Sequence, residues 1–139
     1  MDSSACLEFV RELRALNHRL DARLNEGLRP LGISCVQADA LMALQDLQPC
    51  GLKDLSTHLI AESGHPSRLI ARMRRSELVE VAPSPEDGRA MLISLTAEGE
   101  RLAKESCKVR QDIINSLVLD DGALADATGF MQSIIQQLS

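Results

Sequence analysis

Two short strand-like runs, residues 79–81 (VEV) and 91–95 (MLISL), stand on either side of a stretch dense in turn formers, PSPEDG. Strand-like runs flanking such a turn predict a β-hairpin with a polar tip. Apolar residues elsewhere recur at helical spacing, so the fold class expected is mainly α with one small β-hairpin. With 139 residues the chain has room for one domain. Its 45% hydrophobic and 25% charged residues are those of an ordinary globular domain.

The helices can be placed from their spacing and punctuation. Apolar residues at 7, 10, 13, 16, 20, 24 and 28 form one stripe of an amphipathic helix, which Pro30 and Gly32 end. Ser34 is an N-cap for a second helix reaching about Leu47, and Pro49 and Gly51 precede a short third helix over 52–59. Ser63 and Gly64 interrupt the pattern before Pro66 opens a fourth helix, where its missing N–H costs nothing. After the hairpin, Thr96 caps a long helix running to about Val118. A last helix starts at Asp120 or Asp121, with Leu124, Phe130, Met131, Ile134, Ile135 and Leu138 as its expected buried set. Two closely spaced helices, the second of them basic, running straight into a hairpin is the layout of a winged helix-turn-helix.

The distribution of charge matters more than its total. The formal net charge is −5, which by itself argues against nucleic acid. Yet residues 65–76 (HPSRLIARMRRS) hold Arg68, Arg72, Arg74 and Arg75 and no acid, and Arg89 stands at the hairpin tip. A helix of this kind fits the major groove of DNA, and an arginine suits a narrow minor groove. The acids gather instead at 98–105 and 120–126. The competing reading of an arginine-rich helix face is simple solvation. Two Phe with no Trp or Tyr argue against a single-strand stacking platform.

The ordered residues resemble a known family. PSPEDGRAMLISLTAEG resembles the wing of MarR-family transcriptional regulators, whose usual pattern is Pro-x-Asp-x-Arg, a strand, then Leu-Thr-x-x-Gly. Pro85, Asp87, Arg89, Leu95, Thr96 and Gly99 match it in order. LKDLSTHL resembles the family's first helix-turn-helix helix, PSRLIARMRRSELVEV its recognition helix, and GISCVQADALMAL the helix before them. The similarity covers about residues 28 to 105. Two features depart from the pattern: Glu77 stands where Gly is common, and Pro66 after ESGH is unusual ahead of a recognition helix.

The resemblance implies a transcriptional regulator, a repressor, with a winged helix-turn-helix over 33–99 and dimerisation helices over 7–30 and 100–139. It implies double-stranded DNA contacts from His65, Ser67, Arg68, Arg72 and Arg75, with Arg89 entering the minor groove and Asp87 holding its guanidinium in a charge-assisted pair. An ordinary turn-forming role is the competing reading of Asp87. A two-fold homodimer would set its recognition helices roughly 34–36 Å apart and read a pseudo-palindromic operator. The apolar stripes at 7–28 and 102–138 agree independently, since they exceed what one small lobe can cover. The family also implies release of DNA by a small lipophilic or phenolic ligand, or by cysteine oxidation.

Four cysteines bear on that choice: Cys6, Cys35, Cys50 and Cys107, with no Cys-x-x-Cys pair. Cys35 falls at a helix start, where the dipole is expected to lower a thiol pKa. Cys50 is expected to be exposed in its loop, and Cys6 and Cys107 lie on the proposed dimer helices, where disulfides between subunits are conceivable. The competing reading is that free cysteines behave as small buried hydrophobes. His58, Glu62 and His65 have metal-ligand spacing, but the break at Ser63, Gly64 and Pro66 argues against a shared face. No cofactor is expected. No phosphate loop, nucleophile elbow or His-Glu-x-x-His appears, so the expected class is not an enzyme. No leader or membrane span is read, which predicts a cytoplasmic protein. The rival class is a winged-helix protein-interaction module without specific DNA binding.

Overall fold

The computed structural model describes residues 3–59 and 65–139. Its elements are α1 (Ser3–Leu28), a 3-10 turn (Arg29–Leu31), α2 (Cys35–Leu47), α3 (Leu52–His58), α4 (Pro66–Arg75), β1 (Val79–Pro83), β2 (Met91–Leu95), α5 (Ala97–Asn115) and α6 (Asp121–Leu138). The strands pair antiparallel, with Val79 opposite Leu95 and Val81 opposite Ile93.

Local chemistry sets most of the boundaries. Gly32 closes the turn after α1 in the left-handed conformation, at φ 71°. Ser34 accepts the Gln37 backbone N–H, and the Gln37 side chain accepts the N–H of Ser34, a reciprocal capping box for α2. Thr96 caps α5 through Gly99, and Asp120 caps α6 through Ala123. α1 starts before Leu7, and α5 ends short of Val118, at Asn115.

One core holds the middle of the chain. Leu41 and Leu44 of α2, Leu55 of α3, Met73 of α4, Leu78, Val79, Ile93 and Leu102 are all buried in it. Cys50 belongs to this core at 6% exposure, contrary to the expectation of an exposed loop thiol. Its N–H donates to Ile93 O at 3.1 Å and its C=O accepts the Ile93 N–H at 2.7 Å, so it pairs with β2 as a one-residue third strand. Backbone pairing to a residue 43 positions away is what draws it inside.

The terminal helices are different. Leu28 is the buried residue of α1, and α6 has none. Of the residues expected to be the buried set of α6, none is buried in the single chain: Ile134 is half-buried and the others are exposed, Phe130 at 55% and Ile135 at 62%. On that face the Phe9 ring of α1 meets the Phe130 ring edge to face at 5.5 Å.

Candidate nucleic-acid interface

α4 shows two faces. Leu69, Ile70 and Met73 anchor it in the core. Ser67, Arg68, Arg72, Arg74 and Arg75 are exposed on the other side. Arg68, Arg72 and Arg75 follow at intervals of four and three and so share one stripe. Like charges at such spacing cost an isolated helix a few tenths of a kcal/mol each. Neither the Arg101–Glu98 nor the Lys108–Glu105 ion pair involves them; both lie on α5. An arginine stripe on an exposed helix face is suited to an external polyanion.

The stripe borders two concave surfaces. A cleft of about 270 Å³ is lined by Ser34 and Val36 of α2 and by His65, Arg68, Leu69 and Arg72. A second, of about 440 Å³, brings Arg72 together with Arg29, Asn25 and the start of α2. Arg72 thus stands at the junction of both. Arg29 went unremarked in the sequence because 43 residues separate it from Arg72; no local pattern links them. His65 precedes α4, makes no side-chain cap, and gives its carbonyl to the N–H groups of Arg68 and Leu69 at 3.0 and 3.2 Å.

The hairpin tip is held by its own side chains. Ser84 Oγ accepts the N–H groups of Glu86 and Asp87 at 3.3 and 3.4 Å. The Asp87 carboxylate accepts the backbone N–H of Arg89 at 3.0 Å, and its carbonyl accepts the Ala90 N–H at 3.0 Å. The expected pair between Asp87 and the Arg89 guanidinium is absent among the described ion pairs. The backbone N–H two residues on is nearer than a flexible guanidinium, and Asp87 takes the turn-forming role. Arg89 is left exposed.

The cysteines do not form a site. Cys35 is half-buried, with its thiol directed at the Asp21 carbonyl at 3.9 Å. Burial, and then the Asp21 carboxylate, push that thiol up from its ordinary value, with Arg110 opposing them. The direction is opposite to the lowering expected at a helix start, because burial disfavours the thiolate and a carboxylate stands nearby. Burial also raises the Cys50 thiol, with Asp54 adding to it. Cys6 and Cys107 are exposed, and all four are free thiols. Of the metal-spaced trio, Glu62 lies outside the described residues, as do Ser63 and Gly64. The His58 ring instead approaches the Asp54 carbonyl and the Thr57 hydroxyl, and no metal-binding group of three appears among the described residues.

Comparison with known proteins agrees with this geometry. A family described as "Winged helix DNA-binding domain" matches residues 35–99. The multiple antibiotic resistance protein MarR of Escherichia coli is 26% identical over 118 residues, 81% of this chain and 82% of that protein. Over most of its length the chain is thus similar to MarR and shares the winged-helix fold. Another relative, the transcriptional repressor IacR of Pseudomonas putida, is 28% identical over 87 residues, 63% of this chain and about half (52%) of that protein. The structure of an S. aureus MepR–DNA complex superposes with a TM-score of 0.83 at 18% identity, covering 94% of this chain and 98% of that one. These MarR-family relatives are transcription regulators rather than enzymes. No helix among the described residues of this chain is long and apolar enough to cross a membrane.

Proposed function

We propose that the protein is a homodimeric repressor that binds a pseudo-palindromic DNA site through α4 and the wing, and releases it when a small ligand binds. The observation that carries the reading is the exposed arginine stripe of α4, with exposed Arg89 on the adjoining wing. In this reading Ser67, Arg68 and Arg72 face the major groove, and Arg75 and His65 serve the backbone. Arg89 enters the minor groove. MepR and E. coli MarR have both been seen with DNA, which supports DNA as the partner. A cytoplasmic location follows from that partner.

The uncovered apolar faces of α1 and α6 support a second copy as their cover. Two clefts flank α5 and suit a small effector. One, of about 500 Å³, lies between Arg23, Gly27, Val109 and Ile113; the other, of about 470 Å³, lies between Met42, Leu47, His58 and Arg110. DNA binding by BpsR of Bordetella bronchiseptica is regulated by 6-hydroxynicotinic acid, which supports a small ligand here. The effector would alter the spacing or freedom of the two winged lobes, and its differential affinity for the two arrangements sets the size of the response. The raised thiol of Cys35 weighs against oxidation at that residue, leaving Cys6 and Cys107 as the accessible sulfurs.

The test is titration of labelled duplexes selected from a random pool, at several salt concentrations and with competitor DNA. Specific binding whose logarithm falls steeply with the logarithm of salt concentration is expected. Parallel samples treated with peroxide separate a thiol switch from a ligand switch. Failure to enrich any duplex overturns the reading in favour of a protein-interaction role.

A further inference from the structure

The end of α4 carries an unusual lock. Ser76 terminates the helix, Glu77 follows at φ 61°, and the chain turns back through two bonds: Glu77 N–H to Arg74 O at 3.0 Å and Leu78 N–H to Met73 O at 2.9 Å. This is the motif that commonly places glycine after a helix, with Leu78 and Met73 supplying its buried apolar contact. The next two carbonyls are both taken by a residue 19 positions on. Thr96 Oγ1 donates to Glu77 O at 2.7 Å, and the Thr96 N–H donates to Leu78 O at 3.1 Å.

Thr96 does more than hold the turn. Its hydroxyl also accepts the Gly99 N–H at 3.0 Å, which makes it the N-cap of α5. A Cβ at Gly99 would lie 2.0 Å from Leu78 O, so α5 and the turn touch at backbone distance. One residue earlier, the Leu95 N–H donates to Gln48 Oε1 at 2.8 Å, fixing the same point to the end of α2. One hydroxyl therefore joins the last turn of α4 to the first turn of α5, at a point that α2 also holds.

We propose that Thr96 is a positioning residue that sets the angle between the recognition helix and α5, and through α5 the separation of the two recognition helices in the dimer. The inference rests on the DNA-binding dimer argued above. α5 has 19 residues, about 28 Å of helix at ~1.5 Å per residue. A tilt of about 7° at its start displaces its far end by about 3.4 Å, one base-pair step. A loosened lock at Thr96 would thus be read as tolerance for the wrong half-site spacing, with the arginines themselves unchanged.

The experiment compares wild type with Thr96→Val, which keeps the shape and loses both hydroxyl bonds, and Thr96→Ser, which keeps both. The probes are the duplex enriched by wild type and versions with one base pair inserted or removed at the centre. Expected for Thr96→Val is about a tenfold loss on the enriched duplex, a much smaller loss on the altered ones, and an unchanged salt slope; Thr96→Ser restores the wild-type profile. A uniform loss on all three duplexes, tracking a lowered Tm, shows a merely structural role and overturns the inference. Folded Thr96→Val with an unchanged spacing profile also overturns it. If Thr96→Val does not fold, Glu77→Gly/Thr96→Val, relieved of the left-handed glutamate, is measured against Glu77→Gly by the same criteria. A wild-type chain that enriches no duplex overturns the DNA reading first, and the inference with it.

Discussion

Leu44 in α2 has no exposed surface, whereas Ile135 in α6 keeps 62% of its own, although both are aliphatic residues at helical spacing. The winged lobe has helices, a hairpin and the first half of α5 to enclose its apolar residues, and it closes around Leu41, Leu44, Leu55 and Met73. α1 and α6 have no such surroundings and leave Leu7, Phe130, Ile135 and Leu138 open. An apolar stripe thus states that a face needs covering and does not say which chain covers it.

The contrast can be broken by substitution. Leu44→Ala leaves a cavity in a closed core and is expected to cost about 2–5 kcal/mol, read by denaturant unfolding. A loss below ~1 kcal/mol would mean that the lobe is less tightly packed than its burial indicates. Ile135→Asp should leave the lobe folded and weaken dimerisation about 100-fold, near 2.7 kcal/mol, by placing a charge in an apolar contact. Sedimentation at micromolar protein reads it, and an unaltered dimer would show that α6 faces solvent.

The contrast can also be sharpened within the lobe. Arg72→Ala is expected to weaken DNA binding about tenfold and to reduce the salt slope by about one. An unchanged slope would remove Arg72 from the interface. Glu77→Gly should stabilise the chain by about 1 kcal/mol, because a non-glycine residue at φ 61° carries a left-handed penalty. A drop in Tm would mean that the glutamate side chain contributes more than its backbone costs. The smallest effect concerns the thiols. Cys35 and Cys50 are both pushed up, so a smaller fraction is thiolate at any pH up to their raised values. Iodoacetamide at pH 8 should label exposed Cys6 and Cys107 first, with half-buried Cys35 catching up as pH rises and Cys50 held back by its place in the core. Fast labelling of Cys35 would reopen its candidacy as a switch.

Much of the fold was legible in the sequence, and the reason is range. Ser34, Thr96 and Asp120 each cap a helix through a residue three positions on, so their role is written in adjacent residues. The arginine stripe of α4 is likewise a matter of spacing. The misreadings share the opposite property. Cys50 is buried by pairing with Ile93, and the Cys35 thiol is raised first by burial and then by the α1 residue Asp21, 14 positions away. Arg29 meets Arg72 across 43 residues. Asp87 differs, because two local partners were available and the backbone N–H was the nearer.

The sequence alone determined the element order, the caps, the hairpin turn and the acid-free face of α4, since each follows from interactions over one to four residues. Tertiary structure decided which thiols are buried, how Arg29 and Arg72 share a cleft, and how Thr96 ties α4 to α5. Those outcomes depend on segments brought together by burial of a common core, and no spacing along the chain encodes the distance between them.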